Sequence, residues 1–177
     1  FQLGLDAGDR LDQGGARRDV VRIGIDLDEL QLVGLLPGEP ELLNQGWYAP
    51  LNITGSALRF LGRHAEVTAE QVMRFLAVDP HNPASIYSCI RLARENGRAV
   101  RGSITSEVWE VLNTSWLELE SVDESRILRT PSPWFDWVKE RSHLLRGVTF
   151  GTMRRDDGYH FTRLGTHIER ADSTARI

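Results

Sequence analysis

From Trp47 onward, apolar residues recur every three or four positions, the spacing that places them on one face of a helix. The clearest case is Tyr159–Ile177, where charged residues flank an apolar stripe on both sides. We interpret this stretch as the amphipathic helix around which the chain is organised, with its stripe facing the core. Gly165 beside the stripe costs roughly 1 kcal/mol relative to Ala, which indicates close approach of another helix. The stripe consists of Phe161, Leu164, Ile168, Ala171 and Ala175.

Capping and turn residues divide the preceding region into five further predicted helices. Thr68 with Gln71 three residues later is typical of a capping box, and Asn82 before Pro83 is a strong N-terminal cap. Ser103 and Ser132 are expected to cap the next two helices. The expected helices are Pro50–His64, Thr68 to just before Asp79-Pro80, Pro83–Gly102, Ile104–Ser121 and Pro133 to about Met153. Their expected apolar positions include Leu51, Leu58 and Leu61, then Ile86, Ala93 and Gly97, then Trp109, Leu112, Trp116 and Leu119, and finally Trp134, Val138, Leu144 and Leu145.

The first 43 residues differ from the rest, because they hold seven glycines and show little helical periodicity. Alternation of apolar and polar residues over Val21–Asp28 is typical of a strand, but the chain offers no second strand to pair with it. We expect this segment to be poorly ordered and irregular, or to fold locally as one short helix near Asp28–Leu36; a frame slip in the coding DNA is a further hypothesis. The pattern stops at Ile177 without a C-cap, which indicates a truncated bundle.

These patterns together predict an all-α fold, an antiparallel bundle of about five or six helices. The predicted domain organisation is an irregular segment at residues 1–43 and a partial helical bundle at residues 44–177. A chain of 177 residues has room for one core. An unpartnered part of such a bundle would expose apolar faces, so association into oligomers is a further expectation.

Composition excludes several classes of protein. The net charge of −4 argues against a general nucleic-acid-binding protein. No apolar run approaches the roughly 18 to 20 residues that a helix needs to span a bilayer, so no membrane association is predicted. The single cysteine, Cys89, excludes an internal disulfide and fits a reducing compartment. The predicted location is the cytoplasm.

A row of four arginines and one further arginine need partners. Arg91, Arg94, Arg98 and Arg101 form one row beside the apolar stripe of the predicted helix Pro83–Gly102. Because like charges at this spacing repel, the row is expected to face acidic helices or an anionic ligand such as a phosphate or a carboxylate. Arg141 projects into the apolar arc of its helix and must be paired. Its expected partner is Asp172 or Glu169.

The sequence contains only parts of the motifs that a metal site or a nucleophilic active site requires. Glu140 and His143 form one ExxH motif, whereas di-iron bundles need two such motifs and two more glutamates. His160 and His167 lie two turns apart and could share an ion only with further ligands. Ser142 and His143 are adjacent, and adjacent residues do not face each other on a helix. We therefore predict no metal site and no cofactor.

Three long stretches closely resemble the bacterial alpha-E family, a helical domain named for its helices and a characteristic glutamate. They are SIYSCIRLARENGRAVRGSITSEVWEVLN, SPWFDWVKERSHLLRGVTFGTMRRDDGYHF and FTRLGTHIERADSTAR. The resemblance covers about Asn44 to Ile177 and matches Glu169, within HIERAD, to the glutamate of the family name. Family members usually begin with a helix carrying an ERAxxxAR-like segment, which is not recognisable here. Other matching positions are Arg94, Glu95, Asn96, Arg98 and Arg101, then Glu140, Arg141, His143 and Arg146, and Arg163, Arg170 and Arg176.

The resemblance carries no established activity, but it implies a context. Genes of the family commonly lie beside, or are fused to, a circularly permuted ATP-grasp protein and lie near transglutaminase-like peptidases. This setting implies a role in making or modifying a peptide or an amide-linked product, with an ATP-grasp ligase as partner. The leading hypothesis is an accessory helical module of such a system.

Two alternatives stay open. The chain could be a peptide-modifying enzyme in its own right, with a glutamate as general base or metal ligand and arginines that hold a carboxylate. It could also be a purely structural bundle whose polar residues fix the register. The candidate catalytic residues are Glu169, Glu140, His143, His160 and His167, and the candidate ligand-binding residues are Arg94, Arg98, Arg101, Arg141, Arg163, Arg170 and Arg176.

Overall fold

The computed structural model describes the backbone of residues 40–176 and the side chains of residues 46–176. Within that range the chain forms eight helices and no strand, so the predicted all-α fold is confirmed. The short helix expected near Asp28–Leu36 lies outside the described residues. None of the described helices combines the length and apolar content needed to cross a bilayer. The helices are α1 (Pro40–Ile53), α2 (Ala57–Leu61), α3 (Ala69–Ala77), α4 (Ile86–Ala99), α5 (Ser106–Glu120), α6 (Glu124–Arg129), α7 (Pro131–Thr152) and α8 (Asp157–Thr174).

The main core lies where α4, α5 and α7 pack against one another. The ring of Tyr87 meets that of Trp116 near one end of the α4–α5 pair, and Arg101 lies over Trp109 near the other, so the two helices run antiparallel. The residues at the centres of the predicted apolar faces of α4 and α5 are buried, which confirms those predictions. On α7, Leu144 was also predicted to be apolar core but is exposed. The buried members of this cluster are Ala77, Ile86, Trp116, Leu119, Ile127, Trp134 and Val138.

A second cluster forms where α1 and α2 pack near α3. The single helix predicted over Pro50–His64 is wrong, because α1 continues through Pro50 and ends at Ile53, and Gly55 then turns the chain with a φ of 63°. That turn rotates α2 so that Phe60 enters the core and Leu58 is 88% exposed. Leu61 is also exposed. The buried members of this cluster are Leu51, Ala57, Phe60, Val72, Phe75 and Leu76.

Capping by side chains sets the start of α3 and α4. Thr68 accepts a hydrogen bond from the backbone N–H of Gln71 at 3.3 Å, as predicted, and α3 ends before Asp79-Pro80. The start predicted at Pro83 is wrong: α4 begins at Ile86, where Ser85 caps it by accepting from Ser88 N–H at 3.1 Å.

Asn82 is fully buried but has a different role from the predicted cap. Its amide donates to the carbonyl of Phe75 at 2.9 Å and accepts from the N–H of Ala84 at 3.1 Å. The residue therefore ties the end of α3 to a turn that precedes α4, a local bonding pattern for which asparagine is well suited.

The helices that follow α4 also begin a few residues away from their predicted first residues. Thr105, rather than Ser103, caps α5, and α7 begins at Pro131, ahead of Ser132. The intervening α6 is capped by Asp123, and hydrogen bonds from the side chain and backbone of Ser125 lower the pKa of that carboxyl. Because the folded-state pKa is lowered, this cap stabilises the fold above the ordinary carboxyl pKa and is lost as the pH falls through the lowered value.

The helix predicted over Tyr159–Ile177 exists as α8, but its predicted orientation is wrong. The apolar stripe faces outward: Phe161 is 64% exposed, and Leu164 and Ile168 are each 51% exposed. Tyr159 and Gly165 are buried instead. Asp156 caps the helix by accepting from Tyr159 N–H at 3.3 Å, and Tyr159 packs in a cluster with Ala93, Val108, Leu112 and Met153. This anchor fixes the rotation of α8, so the arc opposite the stripe turns inward.

Candidate functional site

The row of arginines lies along the seam between α4 and α5; Arg94 and Arg98 are on α4, and Arg101 is in the turn that follows, because α4 ends at Ala99 and not at the predicted Gly102. Arg94 donates from Nε to Asn113 Oδ1 at 2.9 Å, and the guanidinium of Arg101 lies 5.7 Å from the ring centroid of Trp109. Arg98 is exposed. We call Arg94, Arg98 and Arg101, together with Asn113 and Trp109, the arginine seam.

Acidic partners were one expectation for this row, and among residues 46–176 only its first member has one. Arg91 pairs with Glu95 on its own helix at 3.1 Å. Across residues 46–176, no ion pair is formed by Arg94, Arg98 or Arg101. Arg94 uses Nε for Asn113, which leaves the fork of its two terminal nitrogens for an anion. The seam is therefore a row of three cations on a protein of net charge −4.

Arg141 has a structural partner, but not the expected one. Its Nη1 lies 3.5 Å from Glu118 Oε2 on α5, and the same oxygen accepts a 2.7 Å hydrogen bond from Trp137 Nε1. Asp172 pairs with Arg176 instead. The expected pairing of Arg141 with Asp172 or Glu169 is wrong, because the apolar arc of α7 packs on α5 rather than on α8. The role of Trp137 as a donor was not anticipated, since periodicity marks it only as apolar.

The candidate catalytic residues divide between two helices. Glu140 and His143 are exposed on α7, and His160 and His167 are exposed along one side of α8. Glu169 is half-buried on the inward arc of α8. Within the described residues, no group of three or more His, Cys, Asp or Glu side chains is placed to hold a metal ion. The ExxH pair is therefore not completed into a metal centre by neighbouring described side chains.

The arginines of α8 make contacts that position the helix. Arg163 lies 4.7 Å above the ring of Phe150 on α7 and contacts His167 Nε2 at 3.2 Å. Arg176 donates to the carbonyl of Ile53 at 3.2 Å, which ties the end of α8 to the end of α1. Arg170 is exposed. Of the candidate ligand-binding arginines, Arg141 and Arg176 thus hold helices together, and the arginine seam stays a candidate for binding an anion.

One polar residue in this region has an unusual environment. Asn96, on the side of α4 away from the arginine row, is 6% exposed, and its Nδ2 lacks a hydrogen-bond partner in the described structure. Leaving a buried amide donor unpaired costs about 1–3 kcal/mol. The only signal in the sequence was the match of this position to the family stretch, because spacing alone places Asn96 on no functional face.

The sequence from residue 20 to residue 177 matches the model of the Alpha-E family, described as a predicted alpha-helical domain with a conserved ER motif. This match covers most of the chain, so the protein belongs to the Alpha-E family. The sequence contains the ER dipeptide twice, as Glu140-Arg141 on α7 and as Glu169-Arg170 on α8. No curated protein and no solved structure gives a significant match.

Proposed function

We propose that this chain is an accessory helical module of a bacterial system that makes or modifies a peptide or amide bond, and that it works with an ATP-grasp ligase. The observation that carries the proposal is the arginine seam. Arg94, Arg98 and Arg101 lie in one row without acidic partners in the described structure. A ligase that forms amide bonds with ATP handles carboxylates and phosphates, the anions that guanidinium groups recognise best.

The arginine seam is better suited to binding an anion than to catalysis. Arginine stays protonated at any physiological pH, so the seam can hold an anion but cannot exchange a proton with it. Asn113 and Trp109 fix two of the three side chains from α5, and this fixing lowers the entropy lost when a ligand binds. The proposed role is therefore to hold an anionic substrate, or an anionic surface of the ligase, rather than to catalyse the reaction.

The test measures ATP turnover by an ATP-grasp ligase from the source organism of this chain, with and without this chain, across candidate amino acids. We expect turnover to rise when the chain is added. The double substitution Arg98→Gln and Arg101→Gln should remove most of that rise and change the melting temperature little, because both residues are exposed, neither forms an ion pair in the described structure, and the contact of Arg101 with Trp109 lies at the surface. Arg59→Gln, on the exposed surface of α2, is the matched control and should keep the full rise.

Two outcomes would contradict the proposal. The first is unchanged turnover together with separate elution of the two proteins on a sizing column. The second is modification of a peptide by this chain alone that is lost on Glu169→Gln. That result would show an enzyme in its own right, with the half-buried glutamate of the α8 ER dipeptide as its general base.

A further inference from the structure

The arginine seam is a short row of cations of which two are held in place by α5. Arg94 and Arg98 lie one helical turn apart, about 6 Å along the axis of α4, and Arg101 follows in the turn after that helix. Asn113 accepts a hydrogen bond from Arg94 Nε, so the two terminal nitrogens of that guanidinium stay available. Arg101 contacts the ring of Trp109 without a hydrogen bond. The seam therefore presents N–H donors at three successive levels.

The acidic side chains of the surrounding helices leave these donors unpaired. Glu95 lies on α4 but pairs with Arg91 at 3.1 Å. Glu107 and Glu110 are exposed on α5, and neither forms an ion pair within residues 46–176. The same holds for Asp157 at the start of α8. Glu110 is three residues from the seam residue of α5 that holds Arg94, so it shares the same side of that helix and is an acid that opposes an anion bound there.

The surface around the row offers little to a protein partner. The buried centre of a protein interface is apolar and rich in aromatic residues. Among the described residues of α4 and α5, Leu117 is the one large apolar side chain that is exposed, and the ring of Trp109 is already in contact with Arg101. A nucleic acid is disfavoured by the net charge of −4. The row therefore suits a small anion.

Donors at several levels favour phosphate over carboxylate. A carboxylate accepts hydrogen bonds near its own plane, and a single guanidinium fork satisfies both of its oxygens. A phosphate group carries about −1.5 to −2 charges and three acceptor oxygens, which point in different directions. Two linked phosphates double the charge and the number of acceptors. Such a chain can therefore accept from all three guanidinium groups at once, whereas one carboxylate leaves two of them without an acceptor.

We propose that the arginine seam binds a phosphoanhydride chain, the linked phosphates that end a nucleoside diphosphate or triphosphate or that form a free polyphosphate. Arg94 and Arg101 would each hold one phosphate, and Arg98 between them would contact both. Asn113 and Trp109 would act as positioning residues. This assignment rests on the proposed function, because it uses the same seam, and it selects a small phosphate ligand over an anionic surface of the ligase.

The test is isothermal titration calorimetry of this chain without the ligase, in a buffer free of divalent cations, with inorganic pyrophosphate, ADP and citrate. Citrate carries three carboxylates, so it resembles pyrophosphate in charge but not in geometry. At equal ionic strength, pyrophosphate or ADP should bind at least about tenfold more tightly than citrate, a difference of roughly 1.4 kcal/mol. Tighter binding of ADP would support a nucleotide as the source of the chain, and equal or tighter binding of pyrophosphate would support the phosphate chain alone.

Three substitutions and one control locate the site. Asn113→Asp gives Arg94 an acidic partner of nearly the same shape, so pyrophosphate should bind about tenfold more weakly while the melting temperature stays the same or rises. Arg98→Gln should weaken binding about threefold or more, and Glu110→Gln should strengthen it about twofold, as for exposed charge pairs. Arg59→Gln makes the same change of charge away from the seam and should leave binding unchanged.

Equal binding of citrate and pyrophosphate, or an equal loss in the Arg59 and Arg98 variants, would overturn the proposal, because the seam would then act only through its overall charge. The result is separable from the ligase experiment. Binding of pyrophosphate without any change in ligase turnover would contradict the proposed function and leave the phosphate site standing. A rise in turnover without binding of pyrophosphate or ADP would overturn the phosphate site alone.

Discussion

The packed helices α4, α5 and α7 and the helix α8 carry the same kind of apolar pattern, yet they use it in opposite ways. In α5 the positions of Leu112, Trp116 and Leu119 are buried. In α8 the equivalent stripe faces solvent, and a small and polar arc turns inward. The comparison shows that periodicity identifies a helix and its faces but does not decide which face is buried.

In α8 the buried face goes with the anchor at the start of the helix. Tyr159 enters the cluster of Ala93, Val108, Leu112 and Met153 on the side of α8 opposite the stripe. The backbone of the preceding turn fixes this entry through the Asp156 cap. The buried Tyr159 ring and the Asp156 cap thus anchor the start of α8 with the apolar stripe on the opposite side of the helix.

The largest expected effect comes from exchanging aromatic residues in the two regions for alanine. Trp116→Ala should lower the free energy of unfolding by about 3–5 kcal/mol, because it removes a buried ring that packs on Tyr87. Phe161→Ala should change it by less than about 0.5 kcal/mol, since that ring is mostly exposed. Urea unfolding followed by circular dichroism measures both, and equal losses would mean that the stripe of α8 is buried in solution.

A smaller effect should distinguish tight from loose helix contacts. A Cβ added at Gly97 would lie 2.7 Å from Leu112 Cδ1, whereas one added at Gly147 of α7 would meet nothing within 4 Å. Gly147→Ala should stabilise the protein by roughly 0.5–1 kcal/mol. The Gly97→Ala protein should be less stable than the Gly147→Ala protein by about 1–3 kcal/mol, since overpacking against Leu112 offsets the gain in helix propensity. Equal melting temperatures for the two variants would show that α4 and α5 are not closely packed.

The smallest effect concerns the ion pairs of the two regions. Glu118→Ala removes the acceptor shared by Trp137 and Arg141 and should lower the free energy of unfolding by about 1 kcal/mol, discounted for partial exposure. Asp172→Ala removes the exposed pair with Arg176 and should lower it by less than about 0.5 kcal/mol.

Glu120→Ala is the control for the loss of a charge from α5, because Glu120 is exposed and forms no ion pair in the described structure. A loss for Asp172→Ala larger than that for Glu118→Ala would contradict the assignment of Arg141 to α5.

Much of the candidate site could be predicted, but its partners could not. The row of Arg94, Arg98 and Arg101 follows from helical spacing alone; the structure places Arg94 and Arg98 on α4, whereas Arg101 lies in the turn after α4 ends at Ala99. Spacing could not show that Asn113 and Trp109 would meet two of them, because those contacts depend on the register of α5 against α4. For the same reason the partner of Arg141 was predicted on the wrong helix.

The sequence by itself determined that this protein is helical and where most helices lie, because apolar spacing, caps and prolines act within a few residues of each other. It determined the cap at Thr68 and the end of α3 before Asp79-Pro80. Only the tertiary structure decided how each helix is rotated. That choice depends on residues distant in sequence, such as Tyr159 and Ala93, whose packing no local pattern contains.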